Sequence, residues 1–131
     1  VIYFDTSALA KLVLSEPETA ALTAWLDARS EALRVSSSLA RVELVRAVRA
    51  EGDAAIRQAT LILVELDEMP MTTDLLDAAG ALALPLRSLD AIHLASALRI
   101  RTHLDAFVAY DKRLLTAADD MGLPTASPGA V

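Results

Sequence analysis

Four carboxylates in this chain stand where a parallel α/β fold could make them act together. Asp5 ends the short apolar run Val1-Ile2-Tyr3-Phe4, and Asp111 closes the apolar run Ala106-Phe107-Val108-Ala109. In open parallel sheets, ligands bind beyond the carboxyl ends of the strands, and both acids fall at such ends. Asp90 lies in the first turn of a helix expected to open at Ser88, and Glu43 lies in the middle of a helix expected over Leu39–Ala50. Taken singly, Asp5, Asp90 and Asp111 are also explained as helix caps, because Asp accepts from orphan N–H groups and complements the helix dipole. Glu43 is different. Leu39, Ala40 and Ala47 are its neighbours one turn away, and Val42 and Leu44 flank it, so its carboxylate needs a partner. An arginine salt bridge or a metal would supply one. Carboxylates that converge with no Lys or Arg between them repel one another, and the usual resolution is a hard divalent cation such as Mg²⁺ or Mn²⁺. Such an ion activates water and clamps a phosphodiester. Ser7, two residues after Asp5, places a hydroxyl at the start of the first helix, where it either caps the helix or holds a phosphate or a water.

The elements that must position these groups can be read along the chain. Val1–Phe4 predicts a buried first strand, followed by a helix from Asp5 through about Leu14. Ser15-Glu16-Pro17-Glu18 predicts a second helix start, with Ser15 as N-cap and Glu18 completing a capping box. Leu33–Ser36 predicts a second strand, and Ser37 or Ser38 a cap for the Glu43 helix, which breaks at Gly52. A helix over Asp53–Leu66, a strand or connector at Met69–Met71 and a helix capped by Thr73 follow. Ser88 is expected to cap the helix that carries Asp90; Ala106–Ala109 predicts a buried strand, Lys112–Met121 a helix and Leu123–Ala126 a last edge strand. Short strands alternating with helices imply an α/β domain with a short central parallel sheet flanked by helices on both faces. Residues 1–126 are expected to form this single domain and 127–131 a loose tail.

Composition narrows the function. The chain has 131 residues, of which 26 are Ala and 23 Leu, so it should be helix-rich. Aromatics at 4% argue against a platform for stacking bases. The absence of Cys excludes a disulfide framework, thiolate zinc sites and a Cys nucleophile; it fits a reducing compartment, and a cytoplasmic place is expected. No stretch approaches the roughly 18–20 apolar residues of a membrane span. The net charge of −6 argues on its face against nucleic acid as a partner, but an acid cluster that holds cations looks negative until the ions are counted.

With the motifs in place, the chain resembles a known family. Ile2-Tyr3-Phe4-Asp5-Thr6-Ser7-Ala8-Leu9 resembles the opening hydrophobic-Asp-x-Ser motif of PIN domains. Arg41-Val42-Glu43-Leu44-Val45-Arg46-Ala47 resembles the family's internal Glu helix, and Ser88-Leu89-Asp90-Ala91-Ile92-His93-Leu94-Ala95-Ser96-Ala97 its third acidic motif. Phe107-Val108-Ala109-Tyr110-Asp111-Lys112-Arg113-Leu114 resembles the fourth, with Ala109 where Thr or Ser is common. The motifs stand in the family's order and span nearly the whole chain. A chain this short, with no added domain, is most similar to VapC toxins. The resemblance implies a three-layer PIN-like fold and a Mg²⁺- or Mn²⁺-dependent endoribonuclease that cuts structured RNA, often tRNA or rRNA. It also implies homodimerisation and neutralisation by a VapB antitoxin. It assigns Asp5, Glu43, Asp90 and Asp111 to the metal and Ser7 to positioning. Arg41, Lys112 and Arg113 are candidates to meet RNA backbone, His93 is expected to pack or to support the site, and His103 to lie on the surface.

Two other readings stay open at the level of sequence. One is a phosphatase or phosphoacceptor with Asp5 as nucleophile, although Ser7 stands where such sites place a second acid, and Lys112 is the only late Lys. The other is a non-catalytic domain that binds a partner through an apolar groove.

Overall fold

Alternation along two three-residue strands sets the architecture. In the computed structural model, which describes residues 1–131, β1 (Ile2–Phe4) and β4 (Ala106–Val108) pair in parallel, Ile2 opposite Ala106 and Phe4 opposite Val108. Side chains on a strand alternate between faces. Ile2, Phe4, Ala106 and Val108 accordingly enter one core, and Tyr3 and Phe107 the other, where their rings stack 5.5 Å apart.

The first core is closed by α1 (Thr6–Val13), α2 (Thr19–Asp27), α3 (Ala40–Val48) and α4 (Asp53–Glu65), through residues such as Leu9, Leu22, Leu44 and Leu63. The second is closed by α6 (Ser88–Arg99) and α7 (Lys112–Asp120), through Leu94, Leu114 and Ala118. The helix α5 (Thr73–Ala81) packs outside α6 through Leu75 and Ala79. With β2 (Arg34–Ser37), β3 (Asp67–Met69) and β5 (Thr125–Ala126), the sheet has five parallel strands in the order β3-β2-β1-β4-β5. This is the expected three-layer α/β domain. Its strand order turns back between β1 and β4, so the topological switch point, where ligands bind in such sheets, lies beyond Phe4 and Val108.

Several local expectations are corrected. Ser15 caps nothing. The second helix starts at Thr19, and its N-cap Glu18 is helical and makes no side-chain cap. The cause is Lys11, whose largely buried ammonium takes Glu18 at 2.8 Å and Glu16 at 3.2 Å and so removes the carboxylate the box needed. The Thr19 hydroxyl instead closes the turn, accepting from the Glu16 N–H and donating to the carbonyls of Lys11 and Leu14. The cap of α5 is Thr72 rather than Thr73, and α6 begins after Arg87, which offers no side-chain cap; Ser88 is already inside the helix. The 127–131 segment is tied down over part of its length. Ser127 donates to the Ala109 carbonyl and the Tyr110 hydroxyl to that of Pro128. Gly129, with φ at +83°, passes so close to Ala21 that an added Cβ would meet the Ala21 Cβ at 2.8 Å. No helix is long and apolar enough to cross a membrane.

Leu44, fully buried, anchors the helix that carries Glu43. Leu44→Ala should lower unfolding stability by about 2–5 kcal/mol, the range for truncating a buried Leu. Urea unfolding followed by circular dichroism measures this.

Candidate active site

Each acid singled out in the sequence is delivered to the same rim by a different element. Asp5 directly follows β1, and its N–H donates to the Val108 carbonyl at 3.1 Å, which fixes the ends of β1 and β4 together. Its side chain caps α1, accepting from the Ala8 N–H at 3.0 Å, and the Ser7 hydroxyl lies 2.7 and 2.9 Å from its two oxygens. Ser7 also accepts from the Tyr110 N–H at 3.1 Å, so one hydroxyl links Asp5 to the chain just before Asp111. Asp111 is the N-cap of α7, with Oδ1 accepting from the Leu114 N–H at 3.0 Å. For Asp5 and Asp111, capping and presence on the rim are therefore one arrangement.

Glu43 finds neither an arginine partner nor an apolar grave. Its Oε1 accepts from the Thr6 hydroxyl at 2.6 Å and lies 2.8 Å from His93 Nε2. His93 is buried, and its Nδ1 sits 2.7 Å from the Tyr3 hydroxyl. A carboxylate can only accept, so Nε2 carries the proton, and in the neutral ring Nδ1 accepts from Tyr3. Burial pushes the Tyr3 phenol far above its ordinary range, which keeps it a donor. His93 thus joins Tyr3 on one face of the sheet to Glu43 on a helix of the other. His103 is exposed.

Asp90 sits in the first turn of α6, with its side chain 16% exposed. Here the structure adds a residue the sequence reading did not consider. Arg87 reaches Asp90 Oδ2 through Nε at 3.1 Å and Asp111 Oδ2 through Nη2 at 3.5 Å. The acids therefore do not converge free of basic side chains. The only advance signal was the three-residue spacing from Arg87 to Asp90, which places the two on one helical face. Arg87, Ser88, Leu89, Asp90 and Glu43 line a cleft of about 230 Å³. Arg41 pairs instead with Glu68, and Lys112 and Arg113 are exposed at the start of α7.

The electrostatics differ from acid to acid. Burial raises the Asp5 carboxyl to about 6, and the negative charge of Asp90 pushes the same way, against the opposing pull of Ser7, His93 and the Ala8 N–H. Burial also acts to raise Glu43, but hydrogen bonds from His93 and Thr6, with the charge of Arg87, outweigh it and hold that carboxyl below its ordinary range.

All donors on the rim are hard oxygens, the kind that Mg²⁺ and Mn²⁺ select. As the side chains stand, no three Asp, Glu or His groups are gathered closely enough to cage a metal ion. A guanidinium occupies two of the carboxylates, and the others are held by Ser7, Thr6 and His93. The donor chemistry fits a divalent cation, and Arg87 supplies the positive charge between Asp90 and Asp111. The phosphoacceptor reading fares worse, because Asp5 is buried with both oxygens already bonded and the residue two positions on holds it rather than acting as a second acid.

Comparison with known proteins places the chain in a family. The PIN domain family model matches residues 2–120, and the chain belongs to that family. Ribonuclease VapC47 of Mycobacterium tuberculosis (strain CDC 1551 / Oshkosh) is 47% identical over 135 residues, covering 100% of this chain and 99% of its own. Within the PIN domains the chain thus falls among the VapC ribonucleases. Among solved structures, Mycobacterium tuberculosis VapC20, described as a sarcin-ricin loop cleaving toxin, superposes with a TM-score of 0.72 at 19% identity, covering 89% of this chain and 95% of that one. VapBC2 from Rickettsia felis, bound to a DNA fragment from its promoter, gives 0.73 at 14% identity, with 98% and 99% covered.

The raised Asp5 carboxyl has a sign that can be measured. The folded chain holds this proton more tightly than the unfolded chain, so ionised Asp5 costs stability. The cost is absent below about pH 4 and complete above about pH 6. In EDTA, Asp5→Asn should be more stable than wild type by about 1–3 kcal/mol at pH 7.5, and the two should converge near pH 4. Urea unfolding across that range measures the gap, and equal stability at pH 7.5 would mean that Asp5 ionises without cost.

Proposed function

We propose that this chain is a metal-dependent endoribonuclease toxin of a toxin–antitoxin pair, which hydrolyses phosphodiester bonds in structured RNA such as tRNA or rRNA. The observation that carries the reading is the delivery of Asp5, Glu43, Asp90 and Asp111, from four separate elements, to the switch-point rim of a VapC-type PIN fold. Mg²⁺ or Mn²⁺ is the proposed cofactor, with those four acids as the residues that would hold it. When bound, such an ion supplies an activated water and neutralises charge on the scissile phosphate.

The chain's own residues supply the setting. Asp5 contributes a carboxylate whose position is fixed by the α1 N-terminus and by Ser7. Glu43 is aimed by Thr6 and His93, with one oxygen left over. Asp90 and Asp111 bring the remaining oxygens from α6 and from the end of β4. Lys112 and Arg113, exposed beside Asp111, are placed to meet RNA phosphates as the strand crosses the rim. Arg41 is drawn toward Glu68 and is the weaker candidate.

The proposed inhibitor is a VapB-type antitoxin, in keeping with the toxin–antitoxin complexes among the structural neighbours. A homodimer belongs to the same proposal. The apolar groove of Leu76, Leu82, Leu84, Leu86 and Ile92 beside α5 and α6, about 280 Å³, offers surface that a second copy can cover. The enzyme is proposed to work in the cytoplasm, where its RNA is.

The purified chain should cut RNA in Mg²⁺ or Mn²⁺ and fall silent in excess EDTA. Asp90→Asn and Glu43→Gln should each lose about a hundredfold or more in cleavage rate while keeping the wild-type circular dichroism spectrum. Undiminished cutting in EDTA would refute the metal requirement. Wild-type chain that cuts no RNA with either ion would favour the non-catalytic reading.

A further inference from the structure

Six of the eight oxygens of the four acids have partners within the chain, and those six divide into two groups; Glu43 Oε2 and Asp90 Oδ1 have none. Those of Asp5 are engaged by Ser7 and the Ala8 N–H; Glu43 Oε1 is engaged by Thr6 and His93; Asp111 Oδ1 is engaged by the Leu114 N–H. These bonds belong to the scaffold and orient the carboxylates. The oxygens facing outward from Asp90 and Asp111 are different, since both are taken by the same guanidinium, at 3.1 and 3.5 Å. That guanidinium is 75% exposed and has no other carboxylate within ion-pair distance. It also stands at the N-cap of α6, the positive end of a twelve-residue helix, where a cation is disfavoured and where Arg87 makes no capping hydrogen bond. Helix preference therefore does not explain an arginine here, whereas the acids do. The planar fork of Arg spans two carboxylates from two elements in a way that a point-charge ammonium cannot.

We propose that Arg87 is a tethered counter-ion of the acid cluster, which a divalent cation must displace from Asp90 and Asp111 in order to bind there. The inference rests on the metal-nuclease reading above and adds a competitor for the ion built into the chain. It has two consequences. The metal-free rim is held together by Arg87 rather than left as unbalanced negative charge. The affinity of the site for the ion is set below what its carboxylates alone would give, since each binding event must break two charge-assisted contacts. High exposure makes the displacement physically easy, because a solvated guanidinium loses little on leaving its partners.

The test is Mn²⁺ binding by the full-length chain, measured by titration calorimetry without RNA. Arg87→Gln should bind Mn²⁺ about three- to thirtyfold more tightly than wild type, the span that two partly exposed ion pairs represent, and Arg87→Lys should fall between them. Affinity of Arg87→Gln equal to or weaker than wild type would overturn the proposal, and would place Arg87 outside the competition for the ion. Asp90→Asn, made alone and together with Arg87→Gln, separates this failure from that of the underlying reading. If Mn²⁺ binding survives the loss of Asp90 undiminished, the acid rim is not the metal site, and both the reading and the inference fall. If Asp90→Asn abolishes binding while Arg87→Gln leaves it unchanged, only the counter-ion role is lost.

Discussion

Like charges gathered on one rim are the constraint around which this molecule is arranged. Carboxylates set along one rim repel one another, and Asp90 already pushes the Asp5 carboxyl upward. The chain answers with a different local remedy for each. Asp5 is given the Ala8 N–H at the positive end of α1 together with a hydroxyl. Glu43 is given two donors, one from α1 and one from α6. Asp90 and Asp111 share a guanidinium. Each of the four acids is thus oriented by partners that the chain itself supplies.

The most economical of these remedies is His93. Tyr3 belongs to the core on one side of the sheet, and Glu43 rides on a helix whose apolar face, through Ala40, Leu44 and Val48, fills the core on the other side. The imidazole lies between them at the rim, with both ring nitrogens used. No buried side-chain polar atom is left without a partner anywhere in the chain. A network satisfied to this degree fixes orientation, because any rotation of one member would strand another in a poorly solvated place. The scaffold bonds of the rim are largely shielded from water, whereas Arg87 is solvent-exposed.

Much of this was legible in the sequence, for identifiable reasons. The two central strands, β1 and β4, are short apolar runs with Asp5 and Asp111 soon after them, the helices carry apolar faces, and the alternation of strands with helices specifies a parallel sheet. Asp5 and Asp111 could be placed on one rim because both follow strands. Two things were hidden. Ser15 to Glu18 had the local pattern of a capping box, and only the fold could reveal that Lys11, a turn earlier, claims both glutamates. Arg87 carries no local pattern that sets it apart from other charged residues before a helix. Its importance depends on Asp111, 24 positions away, which a local pattern does not contain. The partner of Glu43 was hidden for the same reason, since His93 is 50 residues distant and meets it only across the end of the sheet.

The contacts of Ser127 and Pro128 carry a consequence for how the domain holds its shape. Ser127 grips the carbonyl of Ala109, Pro128 receives the Tyr110 hydroxyl, and the amide of Tyr110 bonds the same Ser7 that steadies Asp5. The last stretch of polypeptide therefore acts as a clasp, held through Tyr110 to Ser7 in the first turn of α1 and seated at Gly129 against Glu18 and Ala21. A pull on Pro128 would pass through Tyr110 to Ser7 and from there to Asp5 on the acid rim.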